Sequence, residues 1–166
     1  MMLYENCFPA TGRLAAYANI KGDATYPDIH GQVRFYEGFH GTIIQADIRN
    51  LPRYQPAQGG KQPIGPFGFH IHIHPDCMPV DAGESFSQAG GHYNPTGQHH
   101  GHHAGDLPVL MPSRSGIAQM TVYIDAFLPQ DIFGKSVMVH ENPDDYRTDP
   151  AGNAGRRIAC GPIIPV

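Results

Sequence analysis

His70 and His72 lie two residues apart in the run Gly68-Phe69-His70-Ile71-His72. On a strand, residues at that spacing project from one face, and two neighbouring imidazoles there can grip one copper or zinc ion. Phe69, Ile71 and Ile73 hold the opposite parity and are expected to face the core. His74, just before Pro75, is expected to be a bystander or a support for the other rings. Taken alone, the pair equally fits an exposed polar strand face. Farther on, His92, His100, His103 and Asp106 fall within fifteen residues, on a segment broken by Pro95, Gly97, Gly101 and Gly105. Three imidazoles and a carboxylate complete a tetrahedral zinc site with no position left for water, which makes such a site structural. The competing reading is a polar tract that binds metal loosely, since His99, His100, His102 and His103 crowd together. His140 ends the run Val137-Met138-Val139-His140 and points away from the two valines. Read alone, His140 is a surface or capping residue and Asp144 a member of a solvated turn.

Short strands must position these groups. Arg13–Lys21, Gln32–Glu37 and Thr42–Asn50 read as strands, the last with Ile44, Ala46 and Ile48 alternating with Gln45, Asp47 and Arg49. Leu51–Pro66 is a Pro- and Gly-rich connection, and Gly68–His74 is the next strand. A long irregular stretch is expected from Pro75 to about Ser115, followed by strands at Ile117–Ile124, Lys135–His140 and Arg157–Ile164. Loops of that length are usually functional or disordered, and this one carries most of the histidines. The expected fold is all-β: an antiparallel Greek-key sandwich or barrel of about eight strands with long metal-binding loops. With no repeat and no break in composition, residues 1–166 are expected to form one domain.

Composition narrows the function classes. Twenty Gly and 16 Pro favour turns over long helices, and eleven His exceed ordinary usage. A net charge of −4 argues against nucleic acid as a partner and requires a local positive patch to draw in any anion. No apolar run is long enough to span a bilayer, so no membrane partner is expected. Met1–Gly12 lacks a basic and an apolar region of the export type, so the expected location is cytoplasmic; the alternative is periplasmic or extracellular after removal of a signal. Cys7, Cys77 and Cys160 allow at most one intramolecular disulfide.

Together these segments resemble the copper/zinc superoxide dismutase family. The matching stretches are Gly68–His72, Ala89-Gly90-Gly91-His92-Tyr93-Asn94-Pro95, His100-Gly101, His103–Leu107, Gly134–His140, Asp144-Asp145 and Gly152–Gly161. The resemblance implies copper held by His70, His72, His92 and His140, and zinc held by His92, His100, His103 and Asp106, with His92 shared. It implies that Asp144 joins a copper histidine to a zinc histidine by hydrogen bonds. Arg157 becomes the residue that attracts and places the anion, and Cys77 pairs with Cys160. The implied reaction converts superoxide to dioxygen and hydrogen peroxide by copper redox cycling, with zinc structural and His92 holding a proton. The superoxide anion is then the substrate, and a homodimer and a copper-delivery protein are candidate partners.

The chain departs from the family pattern in places. Pro108 stands where Gly or Asn is commoner, and Cys77 lies farther before His92 than in animal enzymes. The loop from Glu141 to Gly155 is short and lacks an acidic pair followed by lysine. These differences predict weaker electrostatic guidance and leave the ligands untouched. The alternative function is a catalytically inactive relative that binds copper and zinc.

Overall fold

The computed structural model describes residues 12–78 and 85–166, so Cys7 lies outside the described residues. Eight strands form one antiparallel sheet: β1 (Leu14–Gly22), β2 (His30–Gly38), β3 (Gly41–Arg49), β4 (Phe67–His72), β5 (Asp106–Leu110), β6 (Ala118–Ile124), β7 (Ser136–His140) and β8 (Arg157–Pro165). Their spatial order is β5-β4-β7-β8-β1-β2-β3-β6. The first three strands form a meander, whereas β6 returns beside β3 and β7 beside β4, the crossings of a Greek key. The sheet curls until its edge strands β5 and β6 approach each other, giving a nearly closed barrel.

Alternation builds the core. Ala16, Ala18, Val33, Phe35, Ile44, Ala46 and Ile48 point inward from the meander and meet Phe67, Phe69, Ile71, Val137, Val139 and Ile163. The outer face of the meander is polar, as a half-solvated antiparallel sheet should be. Strands β4 and β7 differ, because all of their residues are buried. Their inner faces join the core, and their outer faces, which carry His70, His72 and His140, lie beneath the loops.

Two expectations need correction. The stretch expected to be irregular from Pro75 to Ser115 contains β5, which pairs with β4. Pro108 obscures this strand in the sequence, but the β4–β5 register shifts between the Phe69–Leu107 and Phe67–Leu110 pairs, and at that irregularity a residue without an N–H is tolerated. Ile73 is 40% exposed and not in the core, because β4 ends at His72 and the chain turns away.

A disulfide joins Cys77 to Cys160 with a Cα–Cα distance of 5.4 Å. It packs with Phe86, Ala89 and Met138 in a small apolar cluster apart from the main core. The bond closes a loop across 83 residues of sequence. Replacing both cysteines with serine should therefore lower stability by about 2–4 kcal/mol, read as a shift of the urea midpoint. Peptide mapping without reductant should recover Cys77 with Cys160, and a Cys7 partner for either would overturn the pairing.

Candidate metal centre

Sheet register brings distant histidines onto one face. In the β4–β7 ladder His70 opposes Met138 and His72 opposes Ser136, while Phe69 and Ile71 oppose Val139 and Val137 inside the barrel. On the other side of β4, His70 opposes Asp106, so the first residue of β5 faces the same way. The segment after the disulfide loop runs beside the end of β4: Tyr93 N–H donates to Ile71 O at 2.7 Å, and His92 bridges to His72. A bulge between Val139 and His140 shifts the β7–β8 register so that His140 opposes Arg157. Ile158 and Ala159 then both enter the core, and Arg157 is turned out beside the histidines.

The rings form two clusters that share a member. His70, His72, His92 and His140 each offer a nitrogen within 4.8 Å of the others, and His92, His100, His103 and Asp106 form a second such set. Hydrogen bonds decide which nitrogen each ring presents. His72 Nδ1–H donates to Gly90 O at 2.9 Å and His140 Nδ1–H to Gly155 O at 3.2 Å. A carbonyl can only accept, so Nε2 of each ring is a bare lone pair, and these two atoms face each other at 3.3 Å. Two lone pairs at that distance repel unless a cation or a proton lies between them.

The remaining rings are oriented by carboxylates. Asp144 accepts from His70 Nε2–H at 2.6 Å through Oδ2 and from His100 Nε2–H at 2.7 Å through Oδ1. It therefore links one ring of each cluster and turns both Nδ1 atoms toward the clusters. Gly152, at φ 62°, passes so close that a Cβ there would collide with the Asp144 carboxylate and His100 Nε2. Asp106 takes the N–H groups of Gly101 and His103 on Oδ2, at 2.8 and 3.1 Å. Its Oδ1 stays within 2.8 Å of His92 Nδ1 and 3.3 Å of His103 Nδ1.

Among the described residues, three buried side-chain polar atoms lack a hydrogen-bond partner: His70 Nδ1, His92 Nε2 and His100 Nδ1. All three belong to these clusters. An unpartnered buried polar atom is costly, and three in one place mark a site built for cations. Imidazole donors in one set, and imidazoles with a carboxylate in the other, fit copper and zinc. The short bonds of Asp144 account for its own grouping with His70 and His100 without a third ion.

Burial holds His72 and His140 well below the usual imidazole range, and nearby charge acts in the same direction. Burial brings His92 down to about 4 against the opposing pull of Asp106. For Asp106, burial pushes the pKa up, but hydrogen bonds from His92 and Gly101 outweigh it and leave the carboxyl at about 2. Below the ordinary histidine value of 6.5 the unfolded chain takes up protons that the folded, metal-free protein refuses, so acid favours unfolding. The urea midpoint of the metal-free protein should hold steady above about pH 7 and fall from 6.5 toward 4. Each of these imidazoles contributes up to about 1.4 kcal/mol per pH unit. A midpoint constant over that range would show that the rings are not held neutral.

A cleft of about 480 Å³ opens onto the clusters, lined by His72, His92, His103, His140, Arg156 and Arg157 among others. Arg157 donates from Nη1 to Phe86 O at 2.7 Å and from Nη2 to Gly90 O at 2.6 Å. Gly90 O thus holds both Arg157 and His72, and the disulfide ties this loop to β8. Arg156 is spent on Asp23 at 3.2 Å and Glu141 at 3.7 Å, and Arg147 does not line the cleft.

The structure thus brings together every histidine and aspartate expected at the site. His74 is exposed, and His99, with a 91% exposed side chain, turns to Asp149; neither they nor exposed His102 join a cluster. Sequence reasoning missed the carbonyls of Gly90 and Gly155, which fix two tautomers. Every residue has a carbonyl, so no residue type signals this role.

The chain matches the family model described as copper/zinc superoxide dismutase over residues 29–163. It is 33% identical over 154 residues to Cu-Zn superoxide dismutase 2 of Aquifex aeolicus, covering 84% of this chain and 81% of that protein. It is 36% identical over 140 residues to the Cu-Zn superoxide dismutase of Legionella pneumophila, covering 80% and 76% respectively. The solved Cu/Zn superoxide dismutase of Brucella abortus superposes with a TM-score of 0.71 at 28% identity, over 89% of this chain and 97% of that one. The matched span contains all of β2 to β7 and both residue clusters, and on this ground the chain belongs to the copper/zinc superoxide dismutase family.

Proposed function

We propose that this protein disproportionates superoxide, with copper held by His70, His72, His92 and His140 and zinc by His92, His100, His103 and Asp106. The observation that carries this reading is the trio of buried, unpartnered nitrogens shared between two clusters that meet at His92. The all-imidazole cluster would take copper because imidazole suits that ion and because three of its four rings, His72, His92 and His140, line the cleft, against His92 and His103 of the other cluster. The cluster with Asp106 would take zinc, an ion that three imidazoles and a carboxylate suit.

Copper, when bound, supplies a one-electron couple, whereas zinc has no redox chemistry and supplies a fixed charge. The net reaction consumes two superoxide anions and two protons and yields dioxygen and hydrogen peroxide. Arg157 binds and orients the anion at the cleft, with its planar fork held rigid by the Phe86 and Gly90 carbonyls. His92 carries a proton at Nε2 while Nδ1 keeps the ring fixed on the Asp106 side. Asp144 holds His70 and His100 so that neither Nδ1 turns away.

Metal analysis of the fully loaded protein should find one copper and one zinc per chain, and pulse radiolysis should show catalytic loss of superoxide. Saturation at one ion per chain would overturn the two-site reading. Two ions without loss of superoxide would establish a metal carrier instead.

A further inference from the structure

The loop after β7 does more than supply Asp144. Its next residues lie across the segment that carries His100, His103 and Asp106 and grip it at several points. Asp149 accepts the backbone N–H of His100 on Oδ1 and His99 Nδ1–H on Oδ2, each at 2.7 Å. Tyr146 N–H donates to Asp144 Oδ1 at 2.7 Å. Its hydroxyl accepts from Val109 N–H at 2.7 Å and donates to Leu107 O at 3.3 Å. Strand β5 is an edge of the sheet, so this hydroxyl pairs main-chain groups on the side of β5 away from β4. The Tyr146 carbonyl also lies against Gly101, where a Cβ would collide with it.

The loop is itself stiff. Asp145 accepts the N–H groups of Arg147 and Thr148, the Thr148 hydroxyl and Asn153 Nδ2–H. A stiff segment bonded to both sides of Asp106 restrains the movement by which the cluster can open. His100 is 2% exposed and the Asp106 side chain 3%, so these two ligands let go only when the segment around residues 99–109 lifts, whereas His92 and His103 border the cleft.

We propose that residues 144–149 form a latch that governs how fast the His92, His100, His103 and Asp106 cluster releases zinc, with Tyr146 and Asp149 as its positioning residues. This rests on the zinc assignment above. Tyr146→Phe removes the hydroxyl bonds yet keeps the ring and the N–H that holds Asp144. Asp149→Ala removes both of its acceptors, and Asp149→Asn keeps a carbonyl oxygen for the His100 N–H.

The test loads wild-type and variant proteins with copper and zinc and follows loss of each ion to a chelator under native conditions. Tyr146→Phe and Asp149→Ala should each release zinc about tenfold faster, the effect expected for one or two ordinary hydrogen bonds. The pair combined should approach about a hundredfold, because the two residues grip different groups. Asp149→Asn should restore most of the slow release. Copper loss should be unchanged, and cobalt(II) placed in the zinc cluster should keep its visible absorption in the variants. Zinc release at the wild-type rate in both single variants, or zinc and copper loss accelerated alike, would overturn the latch. A wild-type protein that holds no zinc would overturn the zinc assignment and the latch with it.

Discussion

Replacing His140 with alanine should abolish copper binding and superoxide dismutation while one zinc ion per chain is retained. His140 belongs to the all-imidazole cluster alone and shares no hydrogen bond with His100, His103 or Asp106. Its Nε2 faces that of His72 at 3.3 Å, so the variant removes one of a directly opposed pair of donors. Loss of an outer partner alone costs about 10–100-fold in metal affinity or activity, and loss of a ligand should exceed that. We expect activity at least about 100-fold below the parent. His103→Ala should behave in the opposite sense, weakening zinc first. Elemental analysis with superoxide decay measured on the same samples checks both variants. Full activity in the His140→Ala protein would show that the copper assignment is wrong.

Arg157→Ile should lower kcat/KM by about tenfold or more, equivalent to about 1.4 kcal/mol, with both metals still bound. The guanidinium lines the cleft, and its charge helps hold the His72 pKa down. Its neighbour Arg156 has its charge answered by Asp23 and Glu141, so it does not substitute. Arg157→Lys should fall between, because an ammonium keeps the charge but has no planar fork to span the Phe86 and Gly90 carbonyls. Charges more than about 8–10 Å away are largely screened at physiological salt. With the net charge at −4, little distant positive field remains to be screened. The wild-type kcat/KM should therefore fall only weakly as ionic strength rises. Pulse radiolysis across a salt series on the three proteins measures both effects. A steep salt dependence, or an Arg157→Ile variant as fast as its parent, would place guidance in other residues.

Much of this centre was legible in one dimension. The parity of His70 and His72 on a strand, and the closeness of His100, His103 and Asp106 in one short stretch, depend only on local spacing. The alternation of Ile44, Ala46 and Ile48 marked a half-buried strand, and β3 carries them in the core. Residue chemistry and period act over a few positions, and that is the range over which sequence reads reliably.

Other features existed only after folding. His140, which alone reads as a surface group, meets His72 across 68 residues of chain because β7 returns beside β4. A one-residue bulge sets Arg157 opposite His140; without it, strand parity would present Ile158 there. Strand β5 was hidden by Pro108, which is tolerated because the β4–β5 register shifts there and leaves it out of the ladder. Burial of both faces of β4 came from loops laid over it, and the period of a strand cannot report what covers its outer face. The amino acids thus determined which groups could bind metal and which faces would turn inward. Register, bulges and loop closure decided which lone pairs meet, because those depend on how the whole barrel buries its apolar surface.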